Sequence, residues 1–243
     1  MEYCLLSDIG KVRDKNEDYC FGEIISDKKA IFSIADGMGG HKKGEFASQN
    51  AVLGVVNSLK AKLLELNGKQ LIKEELKNAY LNINDIILKK AKDEIEYKGM
   101  GTTLTTIIIN DDVLIIANVG DSRCYIFRNN KLKKLTIDNS LVEELLERGF
   151  ITKEEAKDHP QKNIITRAVG IDENLLIDMY EYDLEDDDII ILTTDGVTNS
   201  LEDNEIENIL NQNMDIKNFC SKIVEESNLK SGSDNISIVS VKL

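Results

Sequence analysis

The chain reads as an α+β layered domain, and three observations carry that reading. Apolar runs rich in β-branched residues come in pairs across short polar connectors, as in Thr103–Ile109 and Val113–Val119 around Asn110-Asp111-Asp112. Helical periodicity is confined to separate blocks and does not follow each strand, which argues against an alternating βαβ chain. The 243 residues contain one proline, Pro160, 15 scattered glycines and no Ser/Pro/Gln-rich tract, so no linker interrupts them. One compact domain over residues 1–243 is expected.

Ile31-Phe32-Ser33-Ile34-Ala35 predicts a buried strand that stops at the turn Asp36-Gly37. From Glu45 to Leu66, the residues Ala47, Ala51, Val55, Leu59 and Leu63 recur every fourth position beside Val52, Val56 and Leu66, which makes one apolar helical face. A second helix is predicted from Lys69 to Tyr97, with Leu76, Tyr80, Ile83, Ile87 and Ala91 on one side. After the hairpin at 103–119, a second one joins Cys124–Phe127 to Lys131–Leu135 across Arg128-Asn129-Asn130. Residues 138–171 are the least regular stretch, with short helical signals at Leu141–Arg148 and Lys153–Ala156. Asp188–Thr194 predicts a strand that ends at Asp195-Gly196. Helices over Glu202–Leu210 and Ile216–Leu229 then precede a closing strand, Ile236–Val241.

Charge and cysteine content narrow the function classes. Forty-four Asp and Glu against 30 Lys and Arg give a net charge of -14, which argues against a nucleic-acid binder that gains affinity by neutralising phosphates. At 42% hydrophobic and 30% charged, the chain has the composition of a folded domain. Cys4, Cys20, Cys124 and Cys220 form no Cys-x-x-Cys pair, so isolated buried or half-buried thiols in a reducing compartment are expected. Neither a basic-then-apolar leader nor a run of roughly 18 apolar residues is present. A soluble cytoplasmic protein with no membrane span and no nucleic-acid partner is the expectation.

The chemistry is carried by carboxylates in one kind of place. Asp36, Asp121, Asp195 and Asp234 each stand at the end of an apolar run, with Gly37, Gly120, Gly196 or Gly232 within two residues. One Asp-Gly is most simply a turn, but the repetition of the arrangement is a pattern. If these ends converge, the like charges resist joint ionisation, and divalent cations are the natural counterweight. An all-oxygen ligand set suits Mg²⁺ or Mn²⁺; zinc usually recruits His or Cys, and here His41 and His159 stand alone. Near the N-terminus, Arg13-Asp14-Lys15-Asn16-Glu17-Asp18 has two readings. The arginine forms a surface ion pair, or its guanidinium fork clamps a phosphoryl group beside Glu17 and Asp18. The acidic run Glu185–Asp188 lacks the spacing of a calcium loop and is expected to be a solvated turn. Gly39–Gly44 does not fit a nucleotide-binding loop.

Arg13-x-x-Asn16-Glu17-Asp18, Asp36-Gly37-Met38-Gly39-Gly40, Gly99-Met100-Gly101-Thr102-Thr103, Gly120-Asp121-Ser122-Arg123, Thr194-Asp195-Gly196 and Ser233-Asp234-Asn235 follow one another over nearly the whole chain. In that order the sequence resembles the metal-dependent Ser/Thr protein phosphatases of the protein phosphatase 2C type, and within them the bacterial single-domain members. The resemblance implies a four-layer α/β/β/α sandwich with two central antiparallel sheets flanked by helices, and Mn²⁺ or Mg²⁺, two ions per site with a third possible. Asp36 would bridge the two ions, the Gly37 carbonyl would bind one, and Asp195 and Asp234 the other. Glu17 and Asp18 would act through metal-bound water, and Asp121 with Asp195 would hold the third ion. Arg13 would bind phosphate, and residues 138–171 would form a flap beside the site. The implied reaction is attack on phosphoserine or phosphothreonine in proteins by a water bridging the ions, without a phosphoenzyme. The resemblance also implies substrates made by a Ser/Thr protein kinase, and a monomer is expected.

Two positions depart from the family pattern. Met38 stands where many eukaryotic relatives have a histidine proposed as the acid, leaving His41 and a metal-bound water as alternatives. The common Thr-x-Asp-His-Ser reads Thr136-Ile137-Asp138-Asn139-Ser140, a change to which the sequence assigns no role. A catalytically silent relative serving as a regulatory binding module is the alternative reading, and a two-metal nuclease or phosphodiesterase a third; the complete ligand set disfavours the first and the net charge the second.

Overall fold

The computed structural model describes residues 1–39, 42–66, 68–212 and 215–243. The first half of the chain forms β1 (Glu2–Asp8), β2 (Asp18–Ser26), β3 (Lys29–Met38), α1 (Lys42–Leu59), α2 (Lys69–Asp93), β4 (Gly101–Thr102), β5 (Leu104–Asn110) and β6 (Val113–Val119). The second half adds β7 (Arg123–Arg128), β8 (Lys131–Lys134), α3 (Leu141–Glu147), α4 (Lys153–Lys157), β9 (Asp178–Asp183) and β10 (Ile189–Thr193). It closes with α5 (Asp195–Thr198), α6 (Asp203–Leu210), α7 (Ile216–Lys230) and β11 (Ile236–Lys242). One antiparallel sheet runs β1-β11-β10-β7-β8 and the other β2-β3-β5-β6-β9, with β4 paired to β3.

Strand periodicity sorts the apolar residues into layers. Phe32, Ile34, Ile107, Ile109, Leu114 and Ile116 meet Ile126, Ile190, Leu192, Val239 and Val241 between the sheets. The alternate residues Ile31, Ala35, Ile108 and Ile115 face Val52, Val55, Leu76, Tyr80 and Ile83 of α1 and α2. On the far side, Tyr125, Ile191 and Ile238 face Val197, Ile206, Phe219 and Ile223 of α5–α7. The central strands are thus covered on both faces, which is why they read as unbroken apolar runs. The result is the expected four-layer sandwich.

Several local expectations are corrected. The first helix stops at Leu59, and a 3₁₀ turn at Lys62–Leu64 follows; Lys29 Nζ donates to the carbonyls of Leu63 at 2.7 Å and Leu66 at 3.1 Å, bonds that continued helix would have made internally. The second helix likewise gives way to a 3₁₀ turn at Ile95–Tyr97. Strands β1, β2 and β9 have no counterpart in the sequence reading; each pairs on one side only, and their half-exposed residues make no apolar run. Asp188 is not solvated, since it is 1% exposed and takes both prongs of Arg128 at 2.8 and 2.6 Å. The thiols are buried or half-buried, as expected: Cys124 and Cys220 are buried, Cys4 and Cys20 half-buried. All four cysteines are free, and burial pushes the Cys20 thiol up to about 12.

The segment 138–171 is tethered at both ends. Bridges pair Ser140 with Ile165 and Thr102 with Val169. At its C-terminal end, the buried Asn84 of α2 accepts from the Gly170 amide at 2.7 Å and donates to the carbonyl of Asp172, just past the segment, at 2.8 Å. Asn84→Ala strands that buried amide, so a loss of about 1–3 kcal/mol is expected. The melting temperature of the purified variant should fall by roughly 2–10 °C, and an unchanged melt would refute the anchor.

Candidate active site

The Asp36 carboxylate is placed by strand register and by neighbouring threonines. Strand β3 does not stop before Asp36, as the sequence suggested. It continues to Met38, because Gly37 and Met38 pair with Thr102 and Gly101 of β4. The Asp36 carbonyl accepts from Thr102 Oγ1 and the Thr103 amide, both at 2.9 Å, and its amide donates to Thr103 Oγ1 at 2.8 Å. The Gly-Thr-Thr sequence therefore satisfies the backbone that carries Asp36. Across the sheet, Asp36 is in register with Asp18, the first residue of β2.

Close backbone approaches bring the other groups to the same edge. A Cβ on Gly37 would lie 2.1 Å from the Gly44 carbonyl oxygen, so glycine lets the first turn of α1 close on β3 beside Glu17. A Cβ on Gly196 would lie 1.9 Å from the Asn235 carbonyl oxygen, so the start of α5, carrying Asp195, sits against the entry to β11, carrying Asp234. Asn235 ties in the N-terminal loop. Its Oδ1 accepts from the Glu17 amide at 2.8 Å, and its Nδ2 donates to the carbonyls of Ile9 at 2.9 Å and Lys15 at 2.8 Å. Glu17 is held further by its carbonyl, which accepts from Gly37 and Ser48.

Arg13, Glu17, Asp36, Gly37, Asp121, Asp195 and Asp234 line one cavity of about 700 Å³. Asp18 lies behind its wall, 6% exposed. The sequence reading missed several further wall residues. Asn163 and Ile165 come from the irregular stretch and carried no local signal; Asn235 stood in a quoted motif with no role assigned. Met38 is part of the wall, whereas His41 lies outside the described residues. Among the described residues, no three His, Cys, Asp or Glu side chains are already drawn into a closed metal cage. The carboxylates line an open pocket instead.

Their environment opposes ionisation. Burial, and then the charges of Asp18, Asp195, Asp121 and Asp234, hold the Asp36 carboxyl well above the usual carboxylate range. Burial pushes Asp18 to about 7 against a bond from Thr194 Oγ1 at 2.8 Å, and it pushes Asp121 to about 7 with help from Asp195. Asp195 is raised mainly by burial and then by Asp234. Asp18 Oδ1 and Asp195 Oδ1 are buried with no hydrogen-bond partner, a deficit that a cation would remove. Arg13, its side chain 54% exposed, donates to Asp234 Oδ2 at 2.8 Å. Its ion pair is thus made across the fold and not with the acids next to it in sequence. Partial burial lowers the Arg13 pKa, but Asp234, Asp36 and Asp195 together raise it above its ordinary value.

The chain is similar to known proteins over nearly its whole length. Residues 11–231 match the family model described as protein phosphatase 2C. The chain is 36% identical over 236 residues to serine/threonine phosphatase stp of Listeria welshimeri, covering 97% of this chain and 93% of that one. It is 36% identical over 247 residues to protein phosphatase PhpP of Streptococcus pneumoniae, covering 100% and 98%. Among solved structures, a serine/threonine phosphatase of S. agalactiae superposes with a TM-score of 0.92 at 33% identity over 98% of both chains. Stp1 of Staphylococcus aureus does so with 0.90 at 33% identity over 100% of this chain and 94% of that one. End-to-end likeness in sequence and fold places the chain in the protein phosphatase 2C family.

Proposed function

We propose that this chain hydrolyses phosphoserine and phosphothreonine in proteins at the Asp36 pocket, as one catalytic domain over residues 1–243 with 138–171 as its flap. The observation that carries the reading is the convergence of buried and half-buried carboxylates, two with an unpartnered oxygen, beside an arginine half in solvent. The donors are all oxygen, which suits Mg²⁺ or Mn²⁺. Asp36 and the Gly37 carbonyl would hold one ion, and Asp36, Asp195 and Asp234 a second. Glu17 and Asp18 would hold ions through water, and Asp121 with Asp195 a third. When bound, such ions lower the pKa of a water and offset charge at the phosphoryl group.

The chain's own groups supply position and charge. Arg13 rests on Asp234; a cation held by Asp234 would compete for that carboxylate, leaving the planar guanidinium fork to take two phosphoryl oxygens. Among the described residues the cavity wall holds no cysteine or serine, and the Thr103 hydroxyl is committed to the Asp36 amide and to Ser122. Direct attack by water, without a phosphoenzyme, fits that wall. Met38 has no proton to give, so the leaving alkoxide is protonated by another group. A catalytically silent relative would be expected to have lost ligands, and this chain keeps every one the family pattern names. Products of a Ser/Thr protein kinase are the proposed substrates. No described helix is long and apolar enough to cross a membrane; a cytoplasmic monomer is part of the proposal.

With Mn²⁺, the purified protein should hydrolyse p-nitrophenyl phosphate and a phosphothreonine peptide, and Asp36→Asn or Asp195→Asn should reduce both to background. If both substrates stay untouched while a known phosphatase cleaves them, the reading fails. Arg13→Ala removes charge-assisted bonds worth roughly 1.5–3 kcal/mol, so kcat/KM should fall about 10–150-fold with the fold intact by circular dichroism. Stability gives an independent check. Asp18 and Asp121 titrate near 7 in the folded chain and near 3.9 unfolded, so the unfolded chain binds fewer protons in that window. The protein in EDTA should therefore lose stability as pH rises from about 4 to 7. Mn²⁺ should raise the melting temperature more at pH 8 than at pH 5, and an equal rise at both would count against these ligands.

A further inference from the structure

Asn139, to which the sequence assigned no role, holds the loop that presents Asp121. It is 5% exposed and grips both polar groups of Gly120: its Oδ1 accepts from the Gly120 amide and its own amide donates to the Gly120 carbonyl, both at 2.9 Å. Gly120 has a φ of +107°, and a Cβ there would lie 2.6 Å from Thr103 Cγ2. Glycine alone suits that conformation, but glycine alone does not hold it, so the bonds around it set the loop. Asn118 Nδ2 adds a second donor to the Gly120 carbonyl at 3.2 Å. Asn139 Nδ2 in turn donates to Asp178 Oδ2 at 2.8 Å, and Arg167 pairs with the other oxygen of Asp178 at 2.8 Å. The Asn139 carbonyl accepts from the Thr166 amide at 2.8 Å, next to Ile165 in the cavity wall.

One residue therefore joins three segments: its side chain and backbone hold the Gly120–Asp121 loop, its side chain reaches strand β9, and its backbone carbonyl holds the returning end of 138–171. The clamp works against a load, since Asp121 is half-buried and is repelled by Asp195. Without it, the loop can relax and carry the carboxylate away from the other acids.

We propose that Asn139 is a positioning residue of the active site, which through Gly120 holds the Asp121 carboxylate at the place where it binds a divalent cation. The proposal rests on the reading of Asp121 as a ligand. It requires one group that accepts from Gly120 and donates to Asp178. Histidine can do both. Aspartate keeps the acceptor but has no donor and sets a charge against Asp178, and alanine has neither.

The test is Mn²⁺ titration of EDTA-stripped protein by calorimetry, with kcat and KM for p-nitrophenyl phosphate and the melting temperature measured on the same samples. Asn139→Ala should weaken the Mn²⁺ that depends on Asp121, and lower kcat, by about 10–100-fold, with KM little changed. Asp121→Ala should give the same losses, and the double variant Asp121→Ala/Asn139→Ala no further loss. Asn139→His should restore most of the affinity and Asn139→Asp should not, a comparison that decides the matter should Asn139→Ala not fold. The proposal is overturned if Asn139→Ala lowers only the melting temperature, if the two single losses multiply in the double variant, or if the His and Asp variants behave alike. Wild-type protein that neither binds Mn²⁺ nor cleaves p-nitrophenyl phosphate would overturn the phosphatase reading, and this proposal with it.

Discussion

Repulsion among carboxylates wholly or half withdrawn from water at one edge of a β-sandwich is the constraint on which the rest of this structure depends. Asp18, Asp36, Asp121 and Asp195 all lie where burial disfavours their charged forms, and each is opposed further by acidic neighbours. Groups in that condition move apart unless the backbone beneath them is fixed. Here it is fixed by two packed sheets, whose central strands are covered on both faces.

The devices that hold the edge are backbone devices. Threonines 102 and 103 satisfy the amide and carbonyl of Asp36. Glycines at 37 and 196 let neighbouring chains pass within distances that any side chain would forbid. Asn235 gathers the loop from Ile9 to Glu17, and Asn139 secures Gly120. The short motifs that identify the family thus have a mechanical reading, in which the residues flanking each acid are as necessary as the acid. Metal dependence, the family's common trait, follows from the same arrangement: cations remove the repulsion that the fold would otherwise have to bear.

Legibility in the sequence tracked burial and symmetry of environment. Central strands and long helices were readable because one or both faces are apolar, and the acids at 36, 121, 195 and 234 were readable because each ends such a run. Edge strands β1, β2 and β9 were not, since partial exposure leaves no periodic signal. The partner of Arg13 was not readable either: adjacent acids in the chain were the obvious candidates, yet Asp234, brought in by β11, takes the guanidinium. Asp188 reads as part of a solvated acidic run, yet Arg128, distant in the chain, covers it.

The sequence by itself determined the fold class, the family resemblance and the candidate site residues, because apolar periodicity, glycine and carboxylate placement are local properties. Only the tertiary structure decided how deeply each acid is buried, which oxygens lack partners, what Arg13 rests against and what Asn139 holds. Those are properties of distance and solvent access between segments far apart in the chain. A change of one residue in sequence, such as asparagine for histidine at 139, acquires meaning only when the groups it touches are known.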